Sequence, residues 1–325
     1  MNSASKPHFL NFHIGRHLPL WGVLLVLLLV LVGNAVFLTP LVTLQFLDTM
    51  ANQNSIDPNY MNRLMSGELM NLNLVLMLIT LPFLGSALGL WLAVKMIHKD
   101  LFVRLINIHK AISWKRIFWA FSLWTIIQLT VFVLDYFFIS GADSVTYNGL
   151  STNFFIGILI SLVFLFIQSS TEELIFRSYL MQVVSSFFRQ PIVAVLITGF
   201  LFGGLHMANP EVGTYGFWIM FAYYSSVGVF LALIVALDNR LELALGYHAA
   251  NNIIGGVLMS YKGSALNTYA LFTSQDVDML LGFVSWAISA LIFFFIAKKR
   301  FNFASIHYLF QPLPDPEHLT YETKS

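Results

Sequence analysis

The chain has 325 residues, 58% of them hydrophobic and 10% charged, with a mean hydropathy of +0.75. A soluble domain carries about 25% charge, so these values exclude a large soluble domain; there is no nucleotide loop, and no nucleic-acid partner is expected. There is no cysteine, which excludes disulfides, thiolate metal sites and cysteine nucleophiles, and a net charge of +1 matters less than where the charges fall.

A spanning helix takes about 20 apolar residues. In chain order, the runs at 18–43, 72–96, 117–139, 154–177, 192–207, 214–237, 243–260 and 279–297 predict eight spans. The expected fold is all-α, a polytopic transmembrane helical bundle forming a single integral membrane domain over 1–325. The first run is too long for a signal-peptide core and lacks a clear cleavage site, so it reads as a retained helix. With the N-terminus inside, nearly all lysines and arginines fall on inner segments, among them Lys95, Lys99, Arg104, Lys110, Lys115, Arg116, Arg189, Arg240 and Lys298 to Arg300. Only Arg63 and Lys262 fall outside. That asymmetry sets both termini in the cytoplasm.

Residues 98–116 mix cations with Leu101, Phe102, Leu105, Ile106 and Trp114. They read as a cytoplasmic interfacial amphipathic helix, with a plain cationic connector as the alternative. Residues 302–325 read as a loose cytoplasmic tail. Gly199 and Gly203 form a small-residue pair suited to close helix packing, and glycines beside the histidines could also leave room for a substrate.

Ionisable residues inside the predicted spans are few: Asp135, Glu172, Glu173, Arg177, His206 and His248, with Glu242 at an edge. A carboxylate at membrane depth costs about 3 kcal/mol or more unless it is paired or hydrated. Residues four apart share a helix face, so Glu173 and Arg177 can neutralise one another. Glu172, offset by about 100°, is left without a partner on its own helix. His206 follows Phe202 by four and Asn252 follows His248 by four. Glu172 and His206 each lie seventeen positions from Arg189, the turn between two spans. That is about 25 Å along each helix, so an antiparallel hairpin sets them at one height. His248 is only about 10 Å into its own span; for it to join them, the hairpin tip must run past the membrane surface or along it. Asp135, near a span end, reads as a structural carboxylate. His8, His13, His17, His98 and His109 read as solvated or near headgroups.

A carboxylate, two imidazoles and an amide suit hydrolysis. A carboxylate or histidine can take a proton from water, while a histidine and an asparagine amide can donate to a developing oxyanion. Alternatively, Glu172, His206 and His248 could hold zinc with one position left for water. Asn252 fits an oxyanion donor better than a zinc ligand. The plain structural alternative is a set of interhelical hydrogen bonds.

Glu172, Glu173 and Arg177, then Phe202 and His206, then His248 and Asn252, each group on a predicted span and in that order, resemble the CPBP family of intramembrane proteases. That family includes type II CAAX prenyl endopeptidases and bacterial bacteriocin-processing and self-immunity proteins. The resemblance covers residues 154–261. It implies Glu172 as the water-activating group, His206 as its partner, and His248 with Asn252 as the oxyanion or supporting pair. Glu173, Arg177 and Phe202 would be structural support. The family has been described both as metalloproteases and as glutamate-dependent proteases, so zinc stays open. The expected setting is a bacterial cell membrane, with membrane lipid and a peptide or lipidated-protein substrate as partners. The rival is a non-catalytic membrane protein that binds a peptide for bacteriocin-type self-immunity.

Overall fold

A computed structural model of the chain describes residues 9–11, 20–51, 57–108, 111–261, 263–274 and 276–313. Its helices are α1 (Leu20–Ala51), α2 (Tyr60–Met65), α3 (Leu72–Ala93), α4 (Trp114–Leu134), α5 (Thr152–Glu173), α6 (Met181–Phe188), α7 (Pro191–Leu205), α8 (Pro210–Tyr215), α9 (Phe217–Asp238), α10 (Glu242–Leu258) and α11 (Met279–Phe301). Three short strands, β1 (Val145–Tyr147), β2 (Met259–Tyr261) and β3 (Phe272–Ser274), form a small sheet in the order β1-β3-β2. β1 pairs antiparallel to β3 and β2 parallel to it. The protein is an integral membrane helical bundle: among the described residues, seven helical segments are long and apolar enough to cross a membrane.

Those seven match seven of the eight expected runs. The eighth, α10, has 17 residues and is the most enclosed helix. Its residues 242–250 are all buried, because α4, α5 and α9 pack around it. A helix covered on every side reads as apolar throughout, and that cover lets α10 carry polar groups into the centre of the bundle.

Local chemistry sets the ends of the helices that matter here. The Ser151 side chain accepts from the Phe154 amide at the start of α5, an N-cap that satisfies one of the free amides there. From Thr152 the helical run continues to Phe188, 37 residues in all, with a wider π-helical turn over Leu174–Leu180 directly after the glutamate pair. At 1.5 Å per residue it is about 55 Å long, well beyond one hydrocarbon thickness of about 30 Å. The hairpin tip therefore extends as far as His248 requires. Arg189, at φ 56°, turns the chain in the left-handed region, and Pro191 opens α7, where its fixed φ and missing N–H cost nothing.

Close packing holds α7 against α9. A Cβ on Gly228 would lie 2.5 Å from the Gly199 carbonyl oxygen, and one on Gly203 would collide with the Ser225 backbone. The small-residue pair in α7 therefore serves packing, whereas Gly204, two residues before His206, has open space beside it.

Three expectations need correction. Residues 98–116 do not form one amphipathic helix. Lys99 adopts a left-handed conformation, Phe102–Leu105 is a 3-10 turn, and α4 begins only at Trp114. The reason is burial: Leu105, Ile106 and Asn107 are inserted into the protein, and the Asn107 side chain donates to Glu242 at the start of α10. Among these residues, 109–110 lie outside the described set, as do His8, His13 and His17. The tail is not loose over its first part. Leu309 and Leu313 are buried, and Arg189 and Leu313 exchange two hydrogen bonds, Leu313 N–H to the Arg189 carbonyl and Arg189 Nη2 to the Leu313 carbonyl, both 2.7 Å. His98 is not solvated either: it packs edge-on against Tyr179 at 5.6 Å between ring centroids. Asp135 accepts from Ser140 Oγ, a structural contact.

Candidate active site

The α5 helix brings the glutamate pair to α10 and α7. Glu173 and Arg177 form the expected i,i+4 ion pair, Nη1 to Oε1 at 2.9 Å, with both side chains fully buried. Glu173 has a second task that the spacing alone does not reveal. The same Oε1 lies 2.7 Å from His248 Nδ1. A carboxylate can only accept, so Nδ1 carries the proton and the other ring nitrogen, Nε2, is directed at Glu172. That nitrogen is 3.6 Å from Glu172 Oε2.

Glu172 is 6% exposed. Its Oε1 accepts from Gln168 Nε2 at 2.6 Å, while Oε2 is buried without a hydrogen-bond partner. Asn252, one turn beyond His248, donates to Gln168 Oε1 at 2.9 Å. Gln168 was not among the residues singled out in the sequence. The signal that could have found it is its spacing, four residues before Glu172 on the same helix face.

His206 ends α7 in a short 3-10 turn, His206–Ala208. Its Nδ1 donates to the Phe202 carbonyl at 2.7 Å, which leaves Nε2 open. The Phe202 ring connects the two halves of the site. The Arg177 guanidinium lies 4.0 Å from the ring centroid, a cation–π contact that is worth more when desolvated. The His206 ring lies 4.2 Å away and the His248 ring 6.1 Å away. Tyr224 of α9 covers the other side of His206 at 4.5 Å.

The structure thus joins Glu172, Glu173, Arg177, His248 and Asn252 through hydrogen bonds and ion pairs, and adds His206 through Phe202. Glu172 and His248 lie within electrostatic reach of His206. Among the described residues, no three histidines or carboxylates close around one point as a metal centre. Glu172, His206 and His248 do not meet as a zinc ligand set here, and no step below is routed through a metal. Chemically, the site offers an unpaired carboxylate oxygen, an imidazole with a free nitrogen on either side, and amide donors. That suits addition of water to a carbonyl group.

Residues 153–254 match the family described as type II CAAX prenyl endopeptidase Rce1-like. The chain is also similar to the uncharacterized protein YyaK of Bacillus subtilis (strain 168), 32% identical over 183 residues, covering 56% of this chain and 60% of that protein. The matched part thus spans about three fifths of that relative. No solved structure matches the chain. Every residue singled out for the site lies inside the matched segment. The likeness to the Rce1-like, type II CAAX prenyl endopeptidase family is thus carried by residues 153–254, about a third of the chain.

Proposed function

We propose that the protein is an intramembrane endopeptidase that adds water to a peptide bond, with Glu172 as the general base. The observation that carries this reading is the state of the Glu172 carboxylate. One oxygen is fixed by Gln168; the other is buried, bare and directed into the space bordered by His248. Glu173, Glu211 and Glu242 also keep one bare oxygen; what supports Glu172 as the base is that its bare oxygen faces His248 Nε2 at 3.6 Å.

In the proposed step, a water molecule lies between Glu172 Oε2 and His206 Nε2. The water oxygen bonds to the scissile carbonyl carbon, its proton passes to Glu172, and the carbonyl oxygen becomes an oxyanion. Asn252 has one N–H left after its bond to Gln168 and donates it to the oxyanion, with His248 beside it as the supporting member of the pair. The proton on Glu172 then goes to the departing amide nitrogen as the C–N bond breaks. Glu173 holds the His248 ring in place. Burial of the whole group excludes competing water and strengthens each of these interactions.

The proposed substrate is a membrane-associated peptide or a lipidated protein in a bacterial membrane, because the reacting groups lie inside the bundle. Comparative peptidomics of cells making wild-type protein or the Glu172→Gln variant tests this without a guess at sequence. Peptide termini that appear only with the wild type are the expected result. Identical peptide profiles would instead support a binding role such as self-immunity.

A further inference from the structure

A single line of hydrogen bonds runs from α4 through α10 to α5 and ends on Glu172. Trp124 Nε1 donates to Asn251 Oδ1 at 3.2 Å, joined there by Gln128 Nε2 at 3.4 Å. Asn251 Nδ2 donates to Asn252 Oδ1 at 3.2 Å. Asn252 Nδ2 donates to Gln168 Oε1 at 2.9 Å. Gln168 Nε2 donates to Glu172 Oε1 at 2.6 Å.

The direction of this line is fixed by its ends. An indole N–H can only donate and a carboxylate can only accept. The three amides between them must therefore all point one way, each with its oxygen toward Trp124 and its nitrogen toward Glu172. Flipping any one would set two donors or two acceptors face to face. Hydrogen bonds aligned head to tail polarise one another, more so in a low-dielectric interior. The line delivers only N–H to the carboxylate, the match for a group that begins the reaction as a base.

Resting on the assignment of Glu172 as base, we propose that Gln168 is a positioning residue for the reaction, and that the amide line behind it fixes which carboxylate oxygen faces the water. Gln168 is 6% exposed and joins two helices, so a purely structural role would also fit its contacts. The two roles differ in what they predict for turnover. With Gln168 acting on Glu172, Oε1 is held and Oε2 alone is free. Without it, the carboxylate can rotate about its last torsion and the free oxygen loses its fixed place. A misplacement of about 1 Å can cost about 100-fold in rate.

The test uses the full-length protein in detergent and an internally quenched prenylated peptide. Gln168→Met keeps the shape and removes the donor. It is expected to lower kcat by about 10- to 100-fold and to change KM by less than about twofold, the pattern for an interaction used in the transition state rather than in binding. Gln168→Glu keeps the acceptor for Asn252 and restores a donor only when the introduced carboxyl is protonated. Its rate should climb toward the wild type as pH is lowered, while Gln168→Met stays slow across the same range. Trp124→Phe removes the farthest donor, with Gln128 still on Asn251, and should cost no more than about threefold by the same reasoning from distance. Wild-type kcat in Gln168→Met overturns the proposal. So does a Gln168→Glu enzyme as slow as Gln168→Met at every pH, since that is loss of structure without positioning. Glu172→Gln is run alongside: if it cleaves at full rate, the base assignment itself has failed, and with it this proposal.

Discussion

The fully buried Glu173–Arg177 pair yields a quantitative expectation. At 2.9 Å and an effective dielectric constant near 20, the Coulomb attraction is about 6 kcal/mol. Most of this is offset by the cost of taking both ions out of water, so the pair as a whole adds little. Removing one partner is a different matter. Glu173→Gln leaves the Arg177 guanidinium buried and unneutralised, and Arg177→Met leaves Glu173 as a buried anion shared only with His248. Each single change should destabilise by about 3–5 kcal/mol, on the order of 10 °C in Tm. The double variant removes both charges together and should lie within about 2 kcal/mol of wild type. Thermal unfolding of the four purified proteins in one detergent reads this directly. Turnover should not recover with stability. A carboxylate fixes the proton on His248 Nδ1, but an amide can offer either oxygen or N–H, so the tautomer is no longer set. If the double variant were as unstable as the two singles added together, the pair would not be a compensated buried couple and this reasoning would fail.

Three further outcomes follow from the packing and the chemistry. A Cβ on Gly246 would lie 2.2 Å from the Ile117 carbonyl oxygen, so Gly246→Ala must push α10 from α4 by about 1 Å. It should cost about 1–3 kcal/mol and cut cleavage by about 100-fold, because His248 is two residues on; Gly204→Ala, with open space around it, should leave Tm within about 1 °C by contrast. Truncation after Asn302 removes buried Leu309 and Leu313, worth about 1.5–3 kcal/mol each, and should lower Tm, whereas an unchanged Tm would mean the segment is not docked. Treatment with a strong chelator should leave cleavage by the purified protein intact; loss of activity on chelation with recovery on added zinc would bring Glu172, His206 and His248 back as metal ligands.

The membrane class and the groups of the site are legible in the sequence because each rests on a local rule. An apolar run long enough to span, or a pair of polar residues four apart, is visible in one helix. Glu173 with Arg177 is of this kind, and the structure contains that ion pair. What the sequence leaves hidden depends on neighbours. Glu173 is also the partner of His248, 75 positions away, and no periodicity shows that. Gln168 reads as an ordinary polar residue until Asn252 and Glu172 meet on either side of it. The stretch around Leu105 has the composition of a surface helix, yet burial against the bundle folds it as a short turn. The first part of the tail runs into the proline-rich stretch Gln311–Glu317 and looks loose for that reason, but two buried leucines and two hydrogen bonds between Leu313 and Arg189 anchor it.

The central claim is that Glu172 takes the proton from the water that attacks the peptide bond. Its most direct measurement is the rate of peptide cleavage by purified Glu172→Gln protein beside the wild type, in water enriched in oxygen-18. Removing a general base should lower the rate by about 100-fold or more, and wild-type cleavage should carry one heavy oxygen into the new carboxyl terminus. Cleavage by the variant at the wild-type rate would contradict the claim.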